Sequence, residues 1–288
     1  MDALDILIRT MSTPVPIGPS KTPWQYHSRS DRHSKVACWG ILFDLLNSSG
    51  SLRAHVAEGK VFFGVNHTMR DFVHNKEKKL DLVLCRPDSA SEMAIPGRRP
   101  VTLHSLAEKW QVKLTPVQQA TLNTLPAIRQ APVGAVLAAL EAKATMTEHG
   151  KAGPRLYDEL NSSHQIVHAS SNRALSIGFF MVNAASTFIS PDRNKNLQPG
   201  QHPDVTIHRQ PTAMERSINV VKGLPRRSGT SGTGYDGLAI VVIDMPNDGV
   251  TPVRLITDPP APPRGDIFNY EAMLTRVANE YDAAFTRI

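Results

Sequence analysis

The chain is poor in cysteine and has no long apolar run. Its 288 residues include only Cys38 and Cys85, which are not in CxxC spacing. That excludes a disulfide-dense secreted scaffold and a zinc knuckle, and a reducing cytoplasm is the expected setting. No stretch approaches the roughly 18 continuous apolar residues that a membrane-crossing helix needs. Asp2 and Asp5 stand where a secretory signal would be basic, so a soluble protein without membrane contact is expected. Acidic residues are the scarcer charge: 26 Asp and Glu against 32 Lys and Arg leave a formal net charge of +6. A basic balance favours an acidic partner such as nucleic acid. What is plentiful is proline, 22 residues, and its number implies long irregular connections. With 41% hydrophobic and 20% charged residues the chain is not disordered, and its length suits one large domain or two modest ones.

Residues 1–33 read as an N-terminal arm, because the prolines between residues 11 and 33 interrupt regular structure. Arg29, Arg32, His33 and Lys35, with Trp24 and Tyr26, are candidates there for phosphate contact. From Ser34, the spacing of Val36, Trp39, Leu42, Phe43 and Leu46 predicts a core helix that stops at Asn47–Gly50. Residues 60–65 and 80–85 read as strands, with a basic loop carrying Lys76, Lys78 and Lys79 between them. Two helices over 101–126 read as an insertion. The apolar run Val133–Lys143 follows as a strand, then a helix beginning at Pro154, then a strand over Ala174–Ala184. Helix, strand, strand, strand, helix, strand makes residues 34–189 an α/β core with a mixed β-sheet flanked by helices. Residues 190–236 read as a long flexible basic loop, with Arg193, Lys195, Arg209, Arg216, Lys222, Arg226 and Arg227 nearly unopposed. Residues 237–288 add the strand Leu238–Asp244 and a terminal amphipathic helix over Asn269–Arg287.

The chemistry concentrates at the end of Val133–Lys143. Side chains two apart on a strand share a face, so Glu141 and Lys143 emerge together from an apolar segment. Asp81 lies inside an apolar strand and needs a partner or a metal. An acid on one strand and Glu141-Ala142-Lys143 on a later one, in this element order, resemble the PD-(D/E)xK nuclease superfamily. The resemblance covers about residues 34–184 and implies a restriction-endonuclease-like fold. It also implies Mg²⁺-dependent cleavage of DNA, with Mn²⁺ as a substitute, by a homodimer serving restriction or phage defence. Asp81 and Glu141 would be the metal ligands, with the Ala142 carbonyl as a third, and Lys143 would assist attack on the phosphorus. The family often adds an acid from its first helix, and Asp44 and Glu58 are the candidates. Glu148, Lys151 and Arg155 are further residues that could face the site. Arg193, Lys195, Arg209, Arg216, Arg226 and Arg227 would grip the phosphates. No proline precedes Lys79-Leu80-Asp81 as the family pattern often has it.

Two other readings stand beside this one. The Glu-x-Lys pair is also what an ordinary salt bridge looks like, which would leave a non-catalytic nucleic-acid-binding or assembly subunit. His164 and His168 are one helical turn apart, but Gln165 occupies the place of the glutamate that zinc hydrolases use as a base. Ser228–Gly234 is a glycine-rich loop without the lysine of a phosphate-binding loop. Asp236, Asp244 and Asp248 read as a separate acid cluster, although turn chemistry explains Asp248 more simply.

Overall fold

The apolar runs lie side by side in one sheet. The computed structural model describes residues 1–16, 22–71, 75–88, 99–197, 201–229 and 231–288. Strands β1 (Val15–Pro16) and β2 (Pro23–Trp24) pair with each other apart from the central sheet. The central strands are β3 (Phe62–Asp71), β4 (Lys76–Pro87), β5 (Val133–Thr145), β6 (Leu175–Asn183), β9 (Gly237–Asp244) and β10 (Arg254–Ile256). They run in the order β10-β9-β6-β5-β4-β3. The β3–β4, β4–β5 and β9–β10 pairs are antiparallel, and the β5–β6 and β6–β9 pairs are parallel. The parallel strands are covered on both faces, so β6 is buried throughout and carries no polar/apolar alternation.

One face of the sheet is packed by α2 (Arg32–Ser48) and α8 (Tyr270–Ala284), with Trp39, Leu42 and Phe43 against Leu82, Leu140 and Phe179. The other face carries α6 (His149–Ser170) and α7 (Thr212–Lys222), where Leu160, Ile218, Phe180 and Ile240 share a cluster. The result is a helix–sheet–helix sandwich. Between β4 and β5 the chain forms α4 (Leu103–Lys109) and α5 (Pro116–Thr124), each opened by a capping threonine. Among the described residues no helix is long and apolar enough to cross a membrane.

Several expectations need correction. The segment carrying Lys76, Lys78 and Lys79 is not a loop but the start of β4, paired with the end of β3. Residues 1–33 are not an arm: α1 (Ala3–Met11) buries Ile6, Leu7 and Met11 against α2. Asp44 accepts hydrogen bonds from the Asp2 and Ala3 amides and from the Tyr270 hydroxyl, while Arg32 donates to the carbonyls of Thr10 and Thr13. Residues 190–236 are not one loop either. Their β8 strand (Val205–Ile207) pairs with β7 (Thr187–Ile189), and Met214, Ile218 and Val221 seat one face of α7 in the core. Finally, α6 starts more than a turn before Pro154, which lies within it.

Candidate active site

β4 and β5 run together as far as Leu82 opposite Leu140, then separate. Asp81 is the first residue past the last rung. Its Oδ2 accepts the Ala142 N–H at 2.9 Å, so a side chain supplies the bond that a strand neighbour otherwise would. The inside/outside alternation of β4 also breaks here. Leu80 packs in the α6-side cluster with Ile166 and Val167, whereas Leu82 packs on the α2 side. In a regular strand, residues two apart share a face. Opposite Asp81 on β3, Asn66 has a positive φ of 54° and is absent from the paired register. Asp81 thus sits where the two strands fork, and its Oδ1 accepts a hydrogen bond from Ser34 Oγ at the start of α2, at 3.3 Å.

The two arms of the fork carry lysines that meet on one carboxylate. Lys143 Nζ is 3.0 Å from Glu141 Oε1, and Lys78 Nζ on β4 is 3.6 Å from the same oxygen. Glu141 is 3% exposed and its Oε2 is buried without a hydrogen-bond partner. Lys78 is anchored on its other side by the Glu159 carbonyl and, at 3.3 Å, by Ser162 Oγ. Lys143 continues to Glu159 Oε2 at 3.4 Å, and Arg155 Nε closes the chain on Glu159 Oε1 at 2.6 Å. Gly178 lies in register with Glu141. A Cβ there would come within 2.5 Å of Leu238 and 2.9 Å of the Tyr235 ring, both fully buried, so a larger residue would have to displace the core beside the strand.

Burial, reinforced by the charge of Glu141, pushes the Asp81 carboxyl up from 3.8 to about 6, against the Ala142 amide, Lys143 and Ser34. Burial alone would lower the Lys143 ammonium, but Glu141, Glu159 and Asp81 outweigh it and hold it above the ordinary lysine value. Lys78 goes the other way, because burial and Lys143 exceed what Glu141 and Glu159 return. Glu159 resists burial through Arg155 and Lys143 and stays below the ordinary value. At neutral pH Lys143 is therefore a fixed cation and not a proton acceptor.

The donor set fits a hard divalent cation in kind. It offers two carboxylates on adjacent strands, one with an unpartnered buried oxygen, and Mg²⁺ usually takes only one or two protein carboxylates. Among the described residues no three His, Cys, Asp or Glu side chains gather to hold a metal. A third acid from the first helix is not supplied: Asp44 is committed to Tyr270 and the N-terminal amides, and Glu58 pairs with Lys60. Glu148 precedes α6 in a left-handed conformation, and the Lys151 side chain lies outside the described residues. Sequence reasoning missed Lys78 and Glu159. The period-two spacing of Lys78 with Leu80 is a weak signal that the adjacent Lys76 and Lys79 mask, and Glu159 is marked only by its i,i+4 relation to Arg155.

The other sequence candidates are dispersed. Arg227 is buried, with Nε 2.8 Å from Asp236 Oδ1 and its terminal nitrogens on the carbonyls of Asn172 and Ala174, so it is not a phosphate contact. Arg226 lies over the Phe268 ring, Arg193 pairs with Asp204, and Lys195 is 4.0 Å from Asp192. Arg209 and Arg216 are exposed. His164 bonds Asn161 and His168 bonds the Gly234 carbonyl, both in the packed interior. Asp244 pairs with Arg254 and Asp248 caps its own turn. The Ser228–Gly234 loop, in which Thr230 lies outside the described residues, leads into β9 and not into a helix. No protein-family model, curated protein or solved structure matches the chain.

Proposed function

We propose that this chain is a metal-dependent endodeoxyribonuclease with a restriction-endonuclease-like core. The observation that carries the reading is the fork itself. Asp81 sits at its apex, bonded to the Ala142 amide and influenced by the charge of Glu141, the preceding residue on β5, which has one buried oxygen unpartnered and the other held by Lys143 and Lys78. The order α2, α3 (Gly50–Ala57), β3, β4, β5, α6, β6, with α4 and α5 inserted after β4, agrees with the same reading. Asp81 and Glu141 would hold Mg²⁺ or Mn²⁺, with the Ala142 carbonyl as a third ligand. Such a cation would supply Lewis-acid chemistry, making a water a better nucleophile and offsetting charge on the attacked phosphate. Lys143, fixed as an ammonium by Glu141 and Glu159, stabilises the negative charge that grows on the phosphorane. Glu141 orients that lysine, and the Ala142 amide orients Asp81. Cutting both strands of a duplex takes two such sites, so the active form would be a homodimer.

One observation favours a second reading, a non-catalytic nucleic-acid-binding subunit. Glu141 is already neutralised by two lysines within the protein, as a purely structural ion network would be. Plasmid cleavage with Mg²⁺ or Mn²⁺ separates the two. The nuclease reading expects cleavage that falls by roughly 10²-fold in Glu141→Ala or Lys143→Ala, with duplex binding in EDTA retained. Wild-type protein that binds DNA and cuts none with either metal establishes the second reading.

A further inference from the structure

Two lysines face Glu141, and they differ in what else they hold. Lys143 Nζ is at hydrogen-bond distance from Glu141 Oε1, 3.0 Å, and has a second carboxylate, Glu159, at 3.4 Å. Lys78 stands farther off, 3.6 Å from the same Glu141 oxygen, and Glu141 is its one ion-pair partner among the described residues. Its hydrogen bonds go to neutral acceptors on α6, the Glu159 carbonyl and Ser162 Oγ. Met69 lies opposite it on β3 and packs with Ile166 and Val167 of the same helix. With only 12% of its side chain exposed, Lys78 is seated by α6 and not by Glu141.

The two ammoniums therefore differ in how they meet a further positive charge on Glu141. Lys143 can give up Glu141 and keep Glu159. Lys78 has no second carboxylate within ion-pair distance and little open space to turn into, so its charge stays at the fork. Glu141 Oε2 is buried with no hydrogen-bond partner, so the carboxylate keeps an oxygen for a ligand while its charge is already offset. Two unit charges about 4 Å apart repel by enough to change an equilibrium constant roughly fivefold even in water, and by more in a less polar interior.

The geometry points to Lys78 as a built-in competitor of the divalent cation, a fixed positive charge that sets how much metal the Asp81 and Glu141 carboxylates require. The inference rests on the metal-dependent reading of the fork. It gives Lys78 a part in the free protein that is separate from any role in cleavage.

The test is Mn²⁺ binding by the full chain at neutral pH, without DNA, followed by the electron paramagnetic resonance signal of free Mn²⁺. Lys78→Met and Lys78→Gln remove the charge, the glutamine keeping a hydrogen-bonding group toward α6, and Lys78→Arg retains it. The expected result is binding about fivefold tighter or more in both uncharged variants and near wild type in Lys78→Arg. The gain disappears when Glu141→Gln is added to either uncharged variant. A residue that merely supported the site would do the reverse, loosening the metal when removed. Should Lys78→Met fail to fold, Lys78→Gln alone decides. Equal or weaker binding in the uncharged variants overturns the inference, and so does a gain that survives Glu141→Gln. No Mn²⁺ uptake by wild type or any variant overturns it too. Plasmid cleavage by the same wild-type preparation reports separately: cutting with Mg²⁺ or Mn²⁺ leaves the nuclease reading standing when the inference fails.

Discussion

Two buried ion networks touch α6, and they are completed differently. In the pair Arg227–Asp236 every nitrogen and oxygen has a partner: Arg227 reaches Asp236, Asn172 and Ala174, and Asp236 also accepts the Ser176 amide at 2.7 Å. Glu141, as deeply buried, has two cations on one oxygen and nothing on the other. The first network ties the chain before β9 to the start of β6, and it has no atom to spare. The second keeps an acceptor unpaired at a place where the strands part. Buried acceptors are nearly always bonded, so the two networks differ in kind: one is fully satisfied and the other leaves an acceptor open.

Stability measurements are the sharpest way to break this contrast. Asp236→Ala strands the Arg227 charge in the interior and should cost about 3–5 kcal/mol in chemical denaturation. Glu141→Gln relieves a desolvated charge, leaves Lys143 with Glu159, and should stay within about 1 kcal/mol while lowering cleavage by roughly 10²-fold. Equal losses would erase the distinction.

Asp81 offers a pH test. Its carboxyl titrates at about 6 in the folded protein and at 3.8 as an ordinary carboxylate. Between these values the folded state binds more protons than the unfolded one, so stability falls as pH rises through that window and levels off above it. Asp81→Asn should flatten this part of the stability profile, which thermal melts in a buffer series would record. An unaltered profile means that Asp81 is not the desolvated acid described above.

Lys78→Met should lower cleavage by about tenfold with little change in melting temperature, since Glu141 keeps Lys143. Lys78→Arg should restore part of the loss. The smallest effect belongs to Arg155→Ala, which removes an exposed pair worth under about 1 kcal/mol. A Glu159 that no longer steadied Lys143 would show instead as a larger loss in kcat than in stability.

Much of this architecture was legible in the chain. The core strands follow from apolar runs, the fully buried β6 most plainly, and Glu141 and Lys143 meet as strand spacing requires. The N-terminal helix was obscured because it is short and a proline-rich stretch follows it. Met214, Ile218 and Val221 had helical spacing, but the surrounding basic and proline residues hid it. Arg227 was misplaced because charge density says nothing about burial, and its acid Asp236 is nine residues along. Lys78 was hidden by neighbours of its own kind, for Lys76 and Lys79 reach solvent while it turns inward.

The amide of Ala142 has a use of its own. It is bonded to the Asp81 carboxylate where its strand neighbours are bonded to backbone carbonyls. Its proton therefore senses the electronic state of that carboxylate directly. In a ¹⁵N-labelled sample this one resonance should move as Asp81 gains a proton, or as a cation or a phosphate enters the fork. Chemical shift at a single backbone position thus becomes a built-in gauge of occupancy, readable without any substrate being cut.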